Sequence, residues 1–144
     1  MTKDETSTLK VSFDQGAFAL FDNWDQLRIY KPEYLTFHAP SEHTFDGKNY
    51  ELEMQIYHKE QNSDNYAVVS IFFDSTLGGS GTNSFITEIN PSVSSTKISS
   101  LSLKTLIDDI KSTSNFAEST YFYFGSFTIP PCTENVRWAL INIP

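Results

Sequence analysis

At 144 residues the chain is long enough for one domain with its own core, and an aromatic content of 15% suits a sheet, because aromatic rings fill pleated surfaces. Ten Lys and Arg against 18 Asp and Glu give a formal charge of -8, and the basic residues are not clustered, which argues against nucleic acid as a partner. No apolar run approaches the roughly 20 residues that span a bilayer, and the opening MTKDETSTLK lacks the basic start and apolar middle of a secretory signal.

Residues 1–8 are polar and without periodicity, and are expected to form a loose N-terminal arm ahead of a single domain over 9–144. Leu9, Val11 and Phe13 alternate with Lys10, Ser12 and Asp14 as a strand. Gln15-Gly16 supplies a turn, and Ala17 to Phe21 reads as the return strand. Leu27 and Ile29 then lead towards Pro32, which cannot donate to a ladder and marks an edge, bulge or bend.

The stretch from Leu35 to His58, LTFHAPSEHTFDGKNYELEMQIYH, holds all three histidines. Side chains change face at each strand residue, so Leu35 and Phe37 point one way and Tyr34, Thr36 and His38 the other. The same rule puts Leu52, Met54, Ile56 and His58 on one face of a second strand and Glu51, Glu53, Gln55 and Tyr57 on its opposite face. Asp46-Gly47 is a hairpin turn signal between them. Pairing the two strands gives an apolar face for a core, with His58 in it, and gathers Thr36, His38, Glu53 and Gln55 on a polar face where function is expected.

Tyr66 to Asp74, YAVVSIFFD, is apolar on both faces and reads as a strand buried on both sides. From Ser75 to Ser100 the composition shifts to Ser, Thr, Gly and Asn, a loop, with short helical stretches over Asn83 to Ile89 and Leu103 to Ile110. Tyr121, Tyr123 and Gly125 alternate with Phe122 and Phe124. Thr128 precedes the rigid pair Pro130-Pro131, and Val136, Trp138 and Leu140 give a last strand. Cys132, the single cysteine, is expected to be a free buried thiol. The fold class is mainly β with minor α: a twisted, mostly antiparallel sheet of about seven strands.

Two segments, FHAPSEHTFDGKNYELEMQIYHKE and YFYFGSFTIPPCTENVRW, resemble the two signatures of the alpha-class carbonic anhydrases, in the same order, and the resemblance extends over roughly Leu9 to Ile141. It implies the central sheet of that family, truncated at both ends. In the family three histidines hold zinc, and those positions fall on Thr36, His38 and Gln55. A hydroxyl and an amide are poor zinc ligands. The expectation is therefore no metal, no cofactor and no catalytic residue in use. Glu42 and Thr128 match a pair that orients the zinc-bound hydroxide in active members, read here as pinning the second signature to the central strands. His43, Glu53 and Tyr123 match a structural network, and Tyr34 stands where the family keeps a glutamine that supports a zinc ligand.

The function this implies is a catalytically inactive carbonic-anhydrase-like domain, a structural or interaction subunit whose sheet is completed by other protein subunits. Two alternatives stand beside it: a zinc-dependent carbonic anhydrase completed by a ligand from elsewhere, and a small-anion-binding module.

Overall fold

The computed structural model describes residues 2–3, 9–12, 18–21, 26–76, 85–86, 103–112 and 117–143. Within them, strands β1 (Thr2–Lys3), β2 (Leu9–Ser12), β3 (Phe18–Phe21), β4 (Leu27–His38), β7 (Leu52–Glu60), β8 (Tyr66–Phe73), β9 (Thr120–Gly125) and β10 (Val136–Ile141) form one sheet. Its order is β1-β2-β4-β7-β8-β10-β9, with β3 also paired to β4. The stretch expected to be a loose arm thus contributes a two-residue strand against β2.

The 12-residue β4 organises one half of the sheet. It pairs with β7 along its length, and its other edge is shared between β3 at Leu27–Tyr30 and β2 at Tyr34–Phe37. The expected β2–β3 hairpin is therefore replaced by two separate pairings to β4, and its Gln15-Gly16 turn lies outside the described residues. Pro32 sits where the β4–β7 register shifts, as the missing N–H requires.

Between β4 and β7 the chain makes a separate small hairpin of β5 (Thr44–Phe45) and β6 (Lys48–Asn49). Asp46 and Gly47 both have positive φ, 51° and 74°, the backbone of a tight two-residue turn whose twist matches its strands. The sheet is mostly antiparallel, as expected, and is mixed because β10 runs parallel to β8. Parallel neighbours need a long crossover, and the chain from Asp74 to Asn135 supplies it.

Both faces of the central strands are covered. On one side Leu35, Met54, Ile56, Val69, Ile71, Ala139 and Ile141 pack with Phe85 and with the helix α1 (Leu103–Lys111), which contributes Leu106 and Ile110. The helix matches its predicted span, and of the stretch predicted over 83–89 only the helical residues 85–86 are described. On the other side Tyr57, Val68, Phe72, Val136, Trp138 and Leu140 form a second cluster. The face expected to be simply polar is thus a polar patch roofed by aromatic rings. Cys132 is exposed in the turn after Pro130-Pro131, with φ 56°, so the buried thiol expected there is not found.

Candidate functional site

The site lies on the second face, where β4 and β7 pair with Thr36 opposite Gln55 and His38 opposite Glu53. Two polar clusters meet there.

The first is centred on Glu53, whose side chain is 0% exposed. Its Oε2 accepts from the backbone N–H groups of Glu42 (2.8 Å) and His43 (3.0 Å). Its Oε1 lies 2.7 Å from His43 Nδ1 and accepts from Ser70 Oγ at 2.8 Å and Gln55 Nε2 at 3.0 Å. Burial alone raises this carboxyl, but the hydrogen bonds from the His43 ring and backbone and from Ser70 outweigh it and hold it at about 2. An ionised carboxylate only accepts, so His43 Nδ1 carries the proton, and in the neutral ring Nε2 accepts from Tyr123 O–H at 2.7 Å. Burial, with Glu53 and Glu42 nearby, pushes the Tyr123 phenol up to about 12. The structure therefore brings His43, Glu53 and Tyr123 into one chain of hydrogen bonds, with the Tyr123 ring stacked on Trp138.

The second cluster contains Thr36, His38, Gln55, Glu42 and Tyr57. Thr36 Oγ1 and His38 Nε2 are 3.0 Å apart, and His38 Nδ1 lies 3.5 Å from Glu42 Oε1. Gln55, fully buried, donates from Nε2 to Glu42 Oε2 at 2.8 Å and to Glu53 Oε1 at 3.0 Å. Its Oε1 accepts from Tyr57 O–H at 2.6 Å. Because both neighbouring carboxylates can only accept, the amide orientation is fixed, and every Gln55 hydrogen is used. Burial and the stacked Tyr34, 4.6 Å away between centroids, push the Tyr57 phenol well above its ordinary value, against the lowering effect of the nearby Thr128 and Thr36 hydroxyls. Glu42 is thus bound to Gln55, and Thr128 faces Tyr57; the Glu42–Thr128 contact that the resemblance implies is not made among the described hydrogen bonds. His58, on the opposite face, is buried in the core, and burial lowers it to about 4.

A family model described as eukaryotic-type carbonic anhydrase matches residues 3–144. The chain belongs to that family. Dioscorin DB3L of Dioscorea polystachya is 33% identical over an alignment of 145 residues that covers 97% of this chain and 49% of the dioscorin. Alpha carbonic anhydrase 8 of Arabidopsis thaliana is 36% identical over 112 residues, 77% of this chain and 28% of that protein. Among solved structures, the Photobacterium profundum alpha-carbonic anhydrase superposes with a TM-score of 0.71 at 27% identity, covering 95% of this chain and 58% of its own. The chain thus spans less than half the length of these two curated relatives.

Membership corrects the expectation that no cofactor is involved, since the carbonic anhydrases it resembles are zinc enzymes. The residues described here do not fit that ion unaided. Zinc at a catalytic site takes three protein ligands of imidazole, thiolate or carboxylate type and keeps one position open. Here a single imidazole, His38, stands with a hydroxyl paired to its own Nε2 and an amide spent on Glu42, Glu53 and Tyr57. Among the described residues no three His, Cys, Asp or Glu side chains converge as a ligand set.

Sequence reasoning missed Tyr57 as a member of the site. The alternation that puts Glu53 and Gln55 on one face of β7 puts Tyr57 there too, so the signal was present.

Proposed function

We propose that this chain is a carbonic-anhydrase-like domain that does not hydrate carbon dioxide by itself and acts as an interaction subunit within a larger protein or assembly. The observation that carries the first half is Gln55, held by Glu42, Glu53 and Tyr57 on all its polar atoms at one of the family's ligand positions. The hydroxide nucleophile of this chemistry arises when a metal ion lowers the pKa of its bound water, and that demands ligands free to face the ion. Stopped-flow measurement of carbon dioxide hydration, with zinc supplied in the buffer, tests it. The expected rate is that of buffer alone, and saturable turnover contradicts the reading.

The edge strand β9 supports the second half. It pairs with β10 on one side and, among the described residues, with no strand on the other. Phe122 and Phe124 are 66% and 64% exposed on one of its faces, and Tyr121 is 50% exposed on the other. An unpaired edge with aromatic side chains invites another polypeptide to add a strand. Sedimentation velocity should show association that Phe122→Lys with Phe124→Lys abolishes, and a monodisperse unmodified monomer argues against it.

A further inference from the structure

The family's ligand positions are not only substituted but also filled. Thr36, Gln55 and Tyr57 share one face of adjacent strands, since Thr36 pairs with Gln55 and Tyr34 with Tyr57 across the β4–β7 ladder. The Tyr57 ring is 3% exposed, stacks on Tyr34 at 4.6 Å with an 18° interplanar angle, and meets Phe127 edge-on at 5.4 Å. These contacts fix the direction of its phenol. The O–H bond then points at Gln55 Oε1, 2.6 Å away, with the Thr36 and Thr128 hydroxyls beside it. The oxygen therefore lies where side chains at positions 36, 55 and 128 converge.

We propose that Tyr57 closes this site: its hydroxyl takes the space between Thr36, Gln55 and Thr128 that an ion held by positions 36, 38 and 55 would need. The proposal rests on the inactive-domain reading above and extends it, because it makes one side chain, outside the three ligand positions, a barrier to metal. A phenol oxygen hydrogen-bonded to Gln55 Oε1, with Thr36 and Thr128 beside it, competes with an ion for the same space. Imidazoles put back at 36 and 55 would still face the Tyr57 oxygen, and Gln55→His would leave that buried hydroxyl seeking the very imidazole nitrogen meant for the metal.

The test compares zinc affinity, by competition with a chromophoric chelator, for Thr36→His/Gln55→His and for the same pair with Tyr57→Val. The triple variant is expected to bind on the order of 10–100-fold more tightly, the range by which groups around a metal's ligands alter affinity. Equal affinity of the two overturns the proposal, as does failure of both to bind while their near-ultraviolet circular dichroism stays native. Tyr57→Leu replaces Tyr57→Val should the smaller residue destabilise folding, with the same two outcomes. The two readings fail separately: turnover by the unmodified chain overturns the inactive-domain reading, whereas equal zinc affinity overturns this one.

Discussion

Two polar clusters, side by side on the same pair of strands, have met burial in different ways. Around Glu53 a carboxylate with no exposure is surrounded by five donors, two from backbone and three from side chains, so its charge is held by groups the fold itself places. Around Gln55 the groups are mostly neutral: an amide that takes a phenol O–H on its oxygen and spends its hydrogens on the Glu42 and Glu53 carboxylates, with hydroxyls beside it. The first arrangement is costly to break, because removing one partner leaves an uncompensated buried charge or several unmet donors. The second can be rearranged at lower cost. In the reading proposed above, a family ligand position serves as a hydrogen-bonded filler beside this carboxylate network.

That contrast is most sharply broken at its centre. Glu53→Ala removes the acceptor for the His43 ring, for two backbone N–H groups and for Ser70, and should cost about 3–5 kcal/mol in urea unfolding. A loss below about 1 kcal/mol would show that water replaces the carboxylate and that the network is not structural.

Acid should act through the same cluster and through His58. His58 has a folded value of about 4, below its ordinary 6.5, so the unfolded chain binds its proton first. Its contribution is full above pH 6.5 and is lost as pH falls towards 4, amounting to about 3 kcal/mol for a shift of this size. Glu53, at about 2 against 4.5, contributes fully above pH 4.5 and loses that contribution as pH falls towards 2. Unfolding free energy should therefore decline in two stages. His58→Gln should flatten the upper stage and leave the lower one, and an unchanged upper stage would assign it to another group.

Smaller effects refine the comparison. Tyr123→Phe removes only the donor to His43 Nε2 and should cost about 1 kcal/mol, since the imidazole keeps its bond to Glu53. Phe124→Lys on the exposed face of β9 should change stability by less than about 0.5 kcal/mol while weakening any association through that edge. A large stability loss there would mean that Phe124, stacked under Arg137 at 4.9 Å, belongs to the folded core rather than to a contact surface.

Much of this was legible in the sequence because strand alternation is a local property. Leu52 to His58 sorted themselves onto two faces, and Asp46-Gly47 announced its turn. What could not be read was pairing between distant strands. Periodicity is blind to direction, so nothing in Val136 to Ile141 marked β10 as parallel to β8. Gln15-Gly16 suggested a local hairpin, but β4 is long enough to take β2 and β3 on separate halves of one edge, and that longer ladder prevails. The aromatic roof over the polar face comes from β8, β10 and the segment after β9, so residues near Gln55 in sequence gave no sign of it. At the site, the matching of Glu42 to Thr128 anticipated a bond, but the hydrogen bond described for Glu42 Oε2 comes from the Gln55 amide.

The central claim is that the cluster at Thr36, His38 and Gln55 is a closed set of hydrogen bonds rather than a source of hydroxide. Carbon dioxide hydration by the unmodified chain, followed in stopped flow across a zinc titration, tests it most directly. The account predicts a rate indistinguishable from buffer at every zinc concentration. A saturable, zinc-dependent acceleration would contradict it, and would mean that Gln55 and Tyr57 give way to a working metal site.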